Sequence, residues 1–351
     1  MDEFKTSQSA NPPLVSIVMG VYNGERYLKE AIDSMLNQTQ TNFEFIIIND
    51  GSTDSTGEIL HAYTDPRVFI LEQENHGLTK SLNRGIALAR GKYIARMDSD
   101  EISMSNRLEK QIEYLENNFD VGAVGTSYNR IDAIGSIIGQ EIISVPVQKK
   151  DIYKNLFEWC FLLHGSVMMR KEVLDMVGWY DENFLYSQDY DLWFRILDHY
   201  SLGVLSEPLF CWRLHPDSIY SSKQTTAIHY RYLARRLSAL RKSLNKSDYE
   251  IEYKSEIAKI ERTIALTRQN IPKHIDLDST YKHHLAAAYF RYGNKKTARM
   301  LWISMIRSRT ATLHTWVYLS LTLLPPFIKE GIFSFKNSLI GAVNYFRYSQ
   351  K

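Results

Sequence analysis

The sequence predicts an α/β protein, in which a mostly parallel sheet flanked by helices is followed by an α-helical C-terminal region. Over residues 14–131, short apolar runs typical of buried strands alternate with stretches whose apolar residues recur at helical spacing. This β-α-β-α order favours parallel strands joined by crossover helices. Beyond about residue 216 the strand signals stop and the chain becomes basic.

The predicted strands are apolar segments rich in β-branched and aromatic side chains. In chain order they span residues 14–23, 43–50, 67–73, 92–98 and 121–131. Their runs, such as LVSIVMGVYN and FEFIIIND, are nearly continuous rather than alternating. Such runs are typical of strands that helices cover on both faces.

Amphipathic segments connect these strands, and they span residues 25–38, 51–63, 77–91 and 105–118. In the first, Leu28, Ala31, Ile32 and Met35 recur at helical spacing. The second opens with Ser, Thr and Asp residues that can cap a helix, and Gly91 is the expected stop of the third. The sequence therefore predicts one helix in each of these connections.

Charge divides the chain into two predicted domains, residues 14–215 and 216–351. Residues 216–351 carry a formal balance of +14 and residues 1–215 a balance of −12, although the whole chain is only +2. Within the basic part, the sequence predicts helix over 224–270 and two helices within 280–310, around Gly293 and Asn294. Different charge in the two halves indicates two units with different surroundings.

Composition and cysteine usage predict a cytoplasmic globular protein. Of the 351 residues, 44% are apolar and 23% charged, which is typical of globular domains. Cys160 and Cys211 provide neither a disulfide framework nor a CxxC metal motif. The first residues are polar and lack the apolar core of a signal peptide. The apolar run 316–328 is shorter than the ~20 residues that span a bilayer.

Polar residues follow three of the predicted strands at the point where each strand ends. They read Tyr22-Asn23, Asn49-Asp50 and Asp98-Ser99-Asp100. Ligands of open α/β sheets bind beyond the carboxyl ends of the strands. We therefore expect the ligand site at this edge.

Asp98 and Asp100 are candidate ligands of a divalent cation. Positions i and i+2 of an extended segment project from the same side. Two carboxylates placed in this way suit Mn²⁺ or Mg²⁺, which could bridge phosphate oxygens. The alternative for so short a motif is an acidic loop that caps a helix or faces water.

The segment NDGSTDST, residues 49–56, is a candidate nucleoside site. Asp50 could accept a hydrogen bond from a base, Tyr22 could stack on it, and Asn23 could bond it. Lys80 is a candidate phosphate contact. The alternatives are an ordinary helix cap for Asp50 and a solvated side chain for Lys80. GVYNGE follows the first strand instead of GxGxxG, which argues against a dinucleotide-binding oxidoreductase.

Seven segments in order resemble the family 2 glycosyltransferases of the GT-A type. They are VSIVMGVYNGERYLKEAIDSMLNQT, FEFIIINDGSTDST, NHGLTKSLNRGIALARGKYIARMDSDEIS, RLEKQIEYL, HGSVMMRKEVLDMVGWYDE, DYDLWFRI and WRLHPDSI, within residues 14–215. The resemblance implies a Rossmann-like GT-A fold. It also implies inverting transfer of a sugar from a nucleoside-diphosphate sugar, usually UDP-linked, to an acceptor hydroxyl, with a divalent metal.

The resemblance also implies residue roles on the donor side. Tyr22, Asn23, Glu25 and Asp50 fall where the family holds the nucleoside. Asp98 matches an acid near the ribose and metal, and Asp100 matches the acid that holds the metal on the diphosphate. His215 matches a histidine beside the metal or the diphosphate. These residues are therefore the expected donor and metal site.

On the acceptor side, the resemblance implies that Asp189 is the catalytic base, which takes the proton of the attacking hydroxyl. The loop residues His164, Gly165 and Ser166 face the acceptor, and we expect Trp179 to line the same cleft. Gln188 stands where the family usually has Glu, beside the base. Glu101 replaces a common Asp, and Ser105 a common Pro.

The departure at Gln188 leaves a second hypothesis, a GT-A-fold binding or scaffold protein with weak or no turnover. The resemblance otherwise predicts a role in bacterial cell-surface polysaccharide synthesis. Its partners would be a nucleotide sugar and a glycan or polyprenyl-linked acceptor, with no nucleic acid. The basic tail would suit the inner face of the cytoplasmic membrane. The alternative is a soluble helical cap packed on the transferase domain. The sequence predicts no oligomeric state.

Overall fold

The computed structural model describes residues 12–144, 149–158, 160–218, 224–270, 286 and 295–307. Over this part the chain forms a nine-stranded sheet with helices on both faces. The strand order is β3-β2-β1-β4-β8-β6-β9-β5, and β7 pairs with β6. The predicted α/β class, with its helical C-terminal region, is confirmed.

The strands are β1 Val15–Val21, β2 Phe43–Asp50, β3 Val68–Gln73, β4 Tyr93–Arg96, β5 Ile102–Ser103, β6 Val121–Ile131, β7 Ile137–Glu141, β8 Met168–Arg170 and β9 Ser201–Arg213. The helices are α1 Leu28–Leu36, α2 Thr56–His61, α3 Leu78–Leu88, α4 Arg107–Asn117, α5 Lys149–Glu158, α6 Lys171–Val177, α7 Gln188–His199, α8 Gln224–Ser243, α9 Lys246–Asn270 and α10 Lys295–Arg307. A short 3₁₀ turn spans His164–Ser166.

The parallel half of the sheet, β3-β2-β1-β4, is the half that the sequence predicted. In it β1 is fully buried, as its continuous apolar run indicated. The predicted fifth strand forms as β6, but the antiparallel strand β8 separates it from β4. As a result, the loop that precedes β8 lies beside the end of β4.

Two apolar clusters sandwich the parallel strands. One contains Leu28 and Ile32 of α1, and the other contains Leu82 and Ile86 of α3. The helix α3 ends at Leu88, three residues before the predicted stop at Gly91. At Gly91 a Cβ would collide with the backbone of β1, so this glycine permits a close approach.

Contacts within the chain define two compact units, whereas the predicted domains, residues 14–215 and 216–351, rest on charge and stay a prediction. One unit comprises residues 1–213 and 223–272, and the other comprises 214–222 and 273–351. Side-chain contacts explain why α8 belongs with the sheet: Arg235 Nε donates to Tyr190 Oη at 3.0 Å, and Arg241 pairs with Asp198 at 3.1 Å.

The predicted helix over 224–270 forms as α8 and α9, which are interrupted after Ser243. Of the two helices predicted within 280–310, α10 covers the second, and the first lies outside the described residues. The apolar stretch 316–328 also lies outside them. None of the helices in the described ranges combines the length and hydropathy of a membrane span.

Candidate functional site

The loops after β1 and β2 are joined by hydrogen bonds at the carboxyl edge of the sheet. Asn23, at φ +51°, accepts the backbone N–H of Thr53 at 2.8 Å through its side-chain oxygen. The Glu25 carboxylate accepts the N–H of Ser55 at 3.0 Å. Tyr22 is 53% exposed, so its ring is available to stack on a ligand at this edge.

In the same loops, the carboxylate of Asp54 also accepts backbone N–H groups. Its partners are the N–H of Glu25 at 3.1 Å and that of Thr56 at 3.0 Å. Burial would raise the pKa of Asp54, but hydrogen bonds from Thr56 and from the backbone of Glu25 hold it below its usual value. The acids here stabilise the loops that carry them.

Asp50 lies buried at the end of β2 and holds the loop before α3. Its carboxylate accepts the N–H groups of His76 and Gly77, both at 2.8 Å, and Nε2 of Gln73 at 2.6 Å. The predicted contact with a base would therefore add to an existing structural role. Lys80 is exposed on α3. The nucleoside and phosphate roles of both residues stay predictions.

The end of β4 contrasts with those loops because a buried arginine meets a group of acids. Arg96 is 1% exposed, and its Nη2 donates to Asp98 Oδ1 at 2.5 Å. Asp98, Asp100 and Glu101 follow within five residues, and we call them the acid cluster. Asp98 and Asp100 are partly exposed, whereas Glu101 is buried.

A second buried arginine supports the acid cluster from α4. Arg107 donates to the carbonyl oxygens of Gly165 at 3.0 Å and Arg96 at 2.8 Å. Burial lowers the pKa of Arg107 to about 9, although the charge of Glu101 opposes this shift. Arg107 therefore ties the end of β4 to the 3₁₀ turn.

The buried arginines offset only part of the charge repulsion within the acid cluster. Burial and then the charge of Asp100 raise the pKa of Asp98, although Arg96 opposes the rise. Burial and the charges of Asp98 and Asp100 raise the pKa of Glu101 well above its usual value. A Cβ at Gly165 would collide with Glu101 and lie 2.8 Å from Asp98 Oδ2. Only glycine fits at this point, so the predicted acceptor loop lies directly on the acids.

The other acceptor-loop residues differ in their surroundings. His164 Nε2 lies 2.8 Å from Tyr180 Oη, and burial, followed by the charge of Arg96, lowers the pKa of His164 well below its usual value. Its imidazole is therefore neutral at pH 7. Ser166 is buried and donates to the Leu163 carbonyl at 2.9 Å. The indole of Trp179 donates to Asp175 at 3.1 Å.

Asp189 lies in the first turn of α7, after Ser187 at φ +56°. Burial raises its pKa to about 6, with a smaller contribution from the charge of Asp98, while a hydrogen bond from the backbone of Tyr190 and the charge of Arg231 oppose the rise. The contribution of Asp98 indicates that the predicted base and the acid cluster share one electrostatic environment. Gln188 is buried beside it.

The acid cluster has suitable chemistry for a divalent metal. Carboxylate oxygens are the ligands that Mg²⁺ and Mn²⁺ prefer, and a cation would offset the repulsion that raises the pKa values. In the described ranges, no group of three or more His, Cys, Asp or Glu side chains has the arrangement of a metal site. Asp98 and Asp100 would therefore need further ligands from a diphosphate or water. His215 belongs to the second unit, and its role stays a prediction.

Sequence reasoning missed the two buried arginines. The sequence contained a signal for Arg96, which lies inside the apolar strand YIARMD, two residues before Asp98. A buried cation requires a partner of opposite charge. For Arg107 there was no signal, since a basic residue in the first turn of an amphipathic helix is usually solvated.

The sequence profile described as glycosyl transferase family 2 matches residues 16–178. An uncharacterised glycosyltransferase of Methanocaldococcus jannaschii is 38% identical over 226 residues, which cover 63% of this chain and 77% of that protein. The O-antigen biosynthesis glycosyltransferase WbnJ of Escherichia coli is 38% identical over 216 residues, covering 60% of this chain and 83% of WbnJ.

Two solved structures share the fold, each at 15% identity and a TM-score of 0.53. The mannosyltransferase PcManGT from Pyrobaculum calidifontis, in complex with GDP-Man and Mn²⁺, aligns over 97% of this chain and 89% of its own. S. aureus TarS residues 1–349, in complex with UDP-GlcNAc, aligns over 84% and 88%. Together, the profile match and the curated relatives show that the chain belongs to glycosyl transferase family 2 and is a glycosyltransferase.

Proposed function

We propose that this enzyme moves a sugar from a UDP-sugar to a hydroxyl of a glycan or lipid-linked acceptor, with inversion at the anomeric carbon. The observation that carries the proposal is the pKa of Asp189, which burial and, to a smaller extent, the charge of Asp98 at the end of β4 raise to about 6. A general base works best when its pKa is near the operating pH. A transferase needs such a base within one site with the groups that hold the leaving diphosphate.

The loops after β1 and β2 would form the binding site for the nucleoside of the donor. Tyr22 would stack on the base, and Asn23 and Glu25 hold the loops in place through their bonds to Thr53 and Ser55. TarS, which was solved with UDP-GlcNAc, supports a UDP-sugar, whereas the GDP-Man complex of PcManGT shows that another base occurs on this fold. A comparison of UDP- and GDP-sugars as donors separates the two.

Asp98 and Asp100 would hold the metal. A divalent cation supplies Lewis-acid stabilisation of the charge that grows on the departing diphosphate. The Mn²⁺ in the PcManGT complex supports this assignment. Arg96 fixes the orientation of Asp98 by its bond at 2.5 Å, and Arg107 fixes the backbone that carries the cluster.

The acceptor hydroxyl would lose its proton to the carboxylate of Asp189. Its oxygen forms the new bond to the anomeric carbon as the bond to the diphosphate breaks on the opposite face. A single displacement of this kind inverts the anomeric configuration. His164, held neutral and bonded to Tyr180, would orient the acceptor rather than supply a proton.

The acceptor class is proposed from a relative. WbnJ is named for O-antigen biosynthesis, which supports a role for this enzyme in the synthesis of a cell-surface polysaccharide. An acceptor on a lipid carrier would place the enzyme on the inner face of the cytoplasmic membrane, as a peripheral protein.

Asp189→Asn tests the proposal because the amide keeps the size of the side chain but cannot take a proton. Transfer should fall by about 10²–10⁴-fold, the usual value of a general base. Donor affinity should stay within about twofold. Transfer and donor binding are measured separately with a panel of nucleotide sugars in Mn²⁺. Asp120→Asn, at an exposed carboxylate between α4 and β6, is the matched control.

Two outcomes would contradict the assignment of Asp189. One is full transfer by the Asn variant, and the other is loss of donor binding and transfer in equal proportion. If the unmodified enzyme binds a nucleotide sugar but releases no nucleotide with any acceptor, the scaffold hypothesis suggested by Gln188 is favoured instead.

A further inference from the structure

A second concave site lies at the opposite end of α7 from the proposed base. Its volume is about 830 Å³, and its walls come from α5, the end of α7, the end of α8 and the start of α9. Asp189 is in the first turn of α7, whereas Asp198 is in the last. At 1.5 Å per residue, these two positions are about 14 Å apart along the axis.

The walls of this cavity are strongly basic. Lys149 and Lys150 come from α5, Lys242 from α8 and Lys246 from α9. We call this site the cationic cavity. Asp198 is the acid among its lining residues.

The carboxylate of Asp198 forms an ion pair within the fold. It lies 3.1 Å from Nε of Arg241, which also lies 3.4 Å from Asp191. Asp191 also pairs with Arg195 at 2.7 Å, so two arginines balance these two acids. None of the four lysines forms an ion pair with a residue in the described part of the chain.

One lysine of the cavity contacts an aromatic ring, and its charge also acts on a second lysine. Lys242 lies over the ring of Tyr153, with Nζ 3.3 Å from the ring centre. Burial and the charge of Lys242 lower the pKa of Lys149, although Asp198 opposes the shift. An anion between these ammonium groups would relieve the repulsion, as a cation would in the acid cluster.

The helix ends at the cavity do not favour either sign of charge. The helices α5 and α9 begin there, at Lys149 and Lys246, whereas α7 and α8 end there. Positive and negative ends of helix dipoles therefore oppose one another. The lysine side chains, rather than the helix ends, determine the chemistry of the site.

We propose that the cationic cavity binds a phosphate-bearing ligand at a site separate from the sugar-transfer site. Four compact ammonium groups with three donors each suit the many oxygens of a phosphate ester or diphosphate. The volume is within the usual range for small-molecule sites, and Leu197, Leu244 and Tyr249 supply a wall for a less polar part. The ligand is either a soluble phosphorylated molecule or the headgroup of an anionic phospholipid. This proposal goes beyond the sugar-transfer function and does not depend on it.

The test measures binding of two probes to the full chain without divalent metal. The probes are inorganic pyrophosphate, followed by calorimetry, and vesicles of phosphatidylglycerol in phosphatidylcholine, followed by co-sedimentation. Lys242→Gln/Lys246→Gln should weaken binding at least about tenfold, because it removes two charge-assisted contacts. Lys254→Gln/Lys259→Gln removes the same charge from exposed positions of α9 outside the cavity. This control should retain affinity within about twofold.

The two probes distinguish the source of the ligand. Binding of pyrophosphate without the vesicles indicates a soluble phosphorylated molecule, and binding of the vesicles alone indicates a lipid headgroup. Lys80→Gln should leave both unchanged, since the phosphate contact predicted for the transfer site lies outside the cationic cavity. If Lys242→Gln/Lys246→Gln fails to fold by circular dichroism, Lys150→Gln, at an exposed lysine of the cavity, replaces it, with Lys254→Gln as its control.

Three outcomes would overturn the proposal. The first is that the unmodified chain binds neither probe. The second is an equal loss of affinity in the cavity variant and its control, which would indicate general electrostatic attraction. The third is loss of pyrophosphate binding in Lys80→Gln, which would place the probe in the transfer site. Transfer activity plays no part in these readouts, so a failure here is distinct from a failure of the proposed function.

Discussion

Carboxylates have opposite surroundings in two regions of the same sheet edge. In the loops after β1 and β2, Asp50 and Asp54 accept backbone N–H groups at 2.8–3.1 Å. At the end of β4, Asp98 and Glu101 lie against each other and against Asp100, and their pKa values are raised. The first region binds its acids to backbone N–H groups, whereas in the second the pairing of Asp98 with Arg96 does not prevent the rise in the pKa values.

Acids of the first kind stabilise the fold, whereas acids of the second kind form a candidate binding site for a cation. Two or three N–H donors stabilise the ionised form of a carboxylate, and removal of that carboxylate leaves the donors without partners. A crowded group of acids costs stability in the absence of a cation, and it is useful only when something positive binds there. Substitutions in the two regions should therefore have opposite effects on stability and activity.

The largest expected effect is on transfer by Asp100→Ala. Loss of a metal ligand removes several kcal/mol of charge stabilisation, so transfer in saturating Mn²⁺ should fall by about 10³-fold or more. The free energy of unfolding, measured in urea without metal, should stay equal or rise, because a repulsive charge is removed. Asp120→Ala, at an exposed position between α4 and β6, serves as the control. Near-normal transfer by Asp100→Ala would show that the acid cluster holds no catalytic metal.

A smaller effect, on stability, is expected for Asp50→Ala. The N–H groups of His76 and Gly77 lose their acceptor, which should lower the free energy of unfolding by about 1–3 kcal/mol. Urea unfolding of Asp50→Ala is compared with that of Glu74→Ala, which removes an exposed acid from the same loop. Equal stability of the two variants would mean that Asp50 does not stabilise this loop.

The smallest expected effect is a pH-dependent gain in stability for Glu101→Gln. The pKa of Glu101 is raised in the folded state, so its favourable contribution is complete below its unfolded pKa and is lost as the pH rises through the folded value. The variant should therefore match the unmodified chain at pH 4 and be more stable at pH 8.

Thermal unfolding with EDTA measures the gain, and about 1 kcal/mol corresponds to a rise in Tm of roughly 2–4 °C. Glu109→Gln, at an exposed position of α4, is the control. A Tm for Glu101→Gln that falls below that of the unmodified chain at pH 8 would show that the ionised carboxylate stabilises the fold.

The parallel half of the fold was predictable because local patterns dominate it. Continuous apolar runs such as residues 43–50 form strands that helices cover on both faces. The sequence of such a run is therefore sufficient to predict its strand. The strand β5 has two residues and β8 has three, so neither has enough residues to show a period. Both form because β9 and β4, which are distant in the chain, supply their hydrogen-bond partners.

The candidate site was also predictable only where it depends on local sequence. The Asp98 and Asp100 pair follows directly from a strand, so its place at the edge could be read locally. The raised pKa of Asp189 could not, because it depends on the packing of α8 against α7 and on Asp98, which is 91 residues away in the chain. The predicted roles of all the site residues, including Asp98, Asp100 and Asp189, stay predictions.

The attachment of α8 to α7 has a consequence for folding during synthesis. The helix that carries Asp189 makes its contacts with Arg235 and Arg241 only after about 50 further residues have been translated. At ~5–20 residues per second this takes roughly 2.5–10 s, during which the face of α7 that packs against α8 is uncovered on the nascent chain. We therefore expect that truncation near residue 215 yields an aggregating fragment, whereas an expressed transferase unit has to continue to about residue 272.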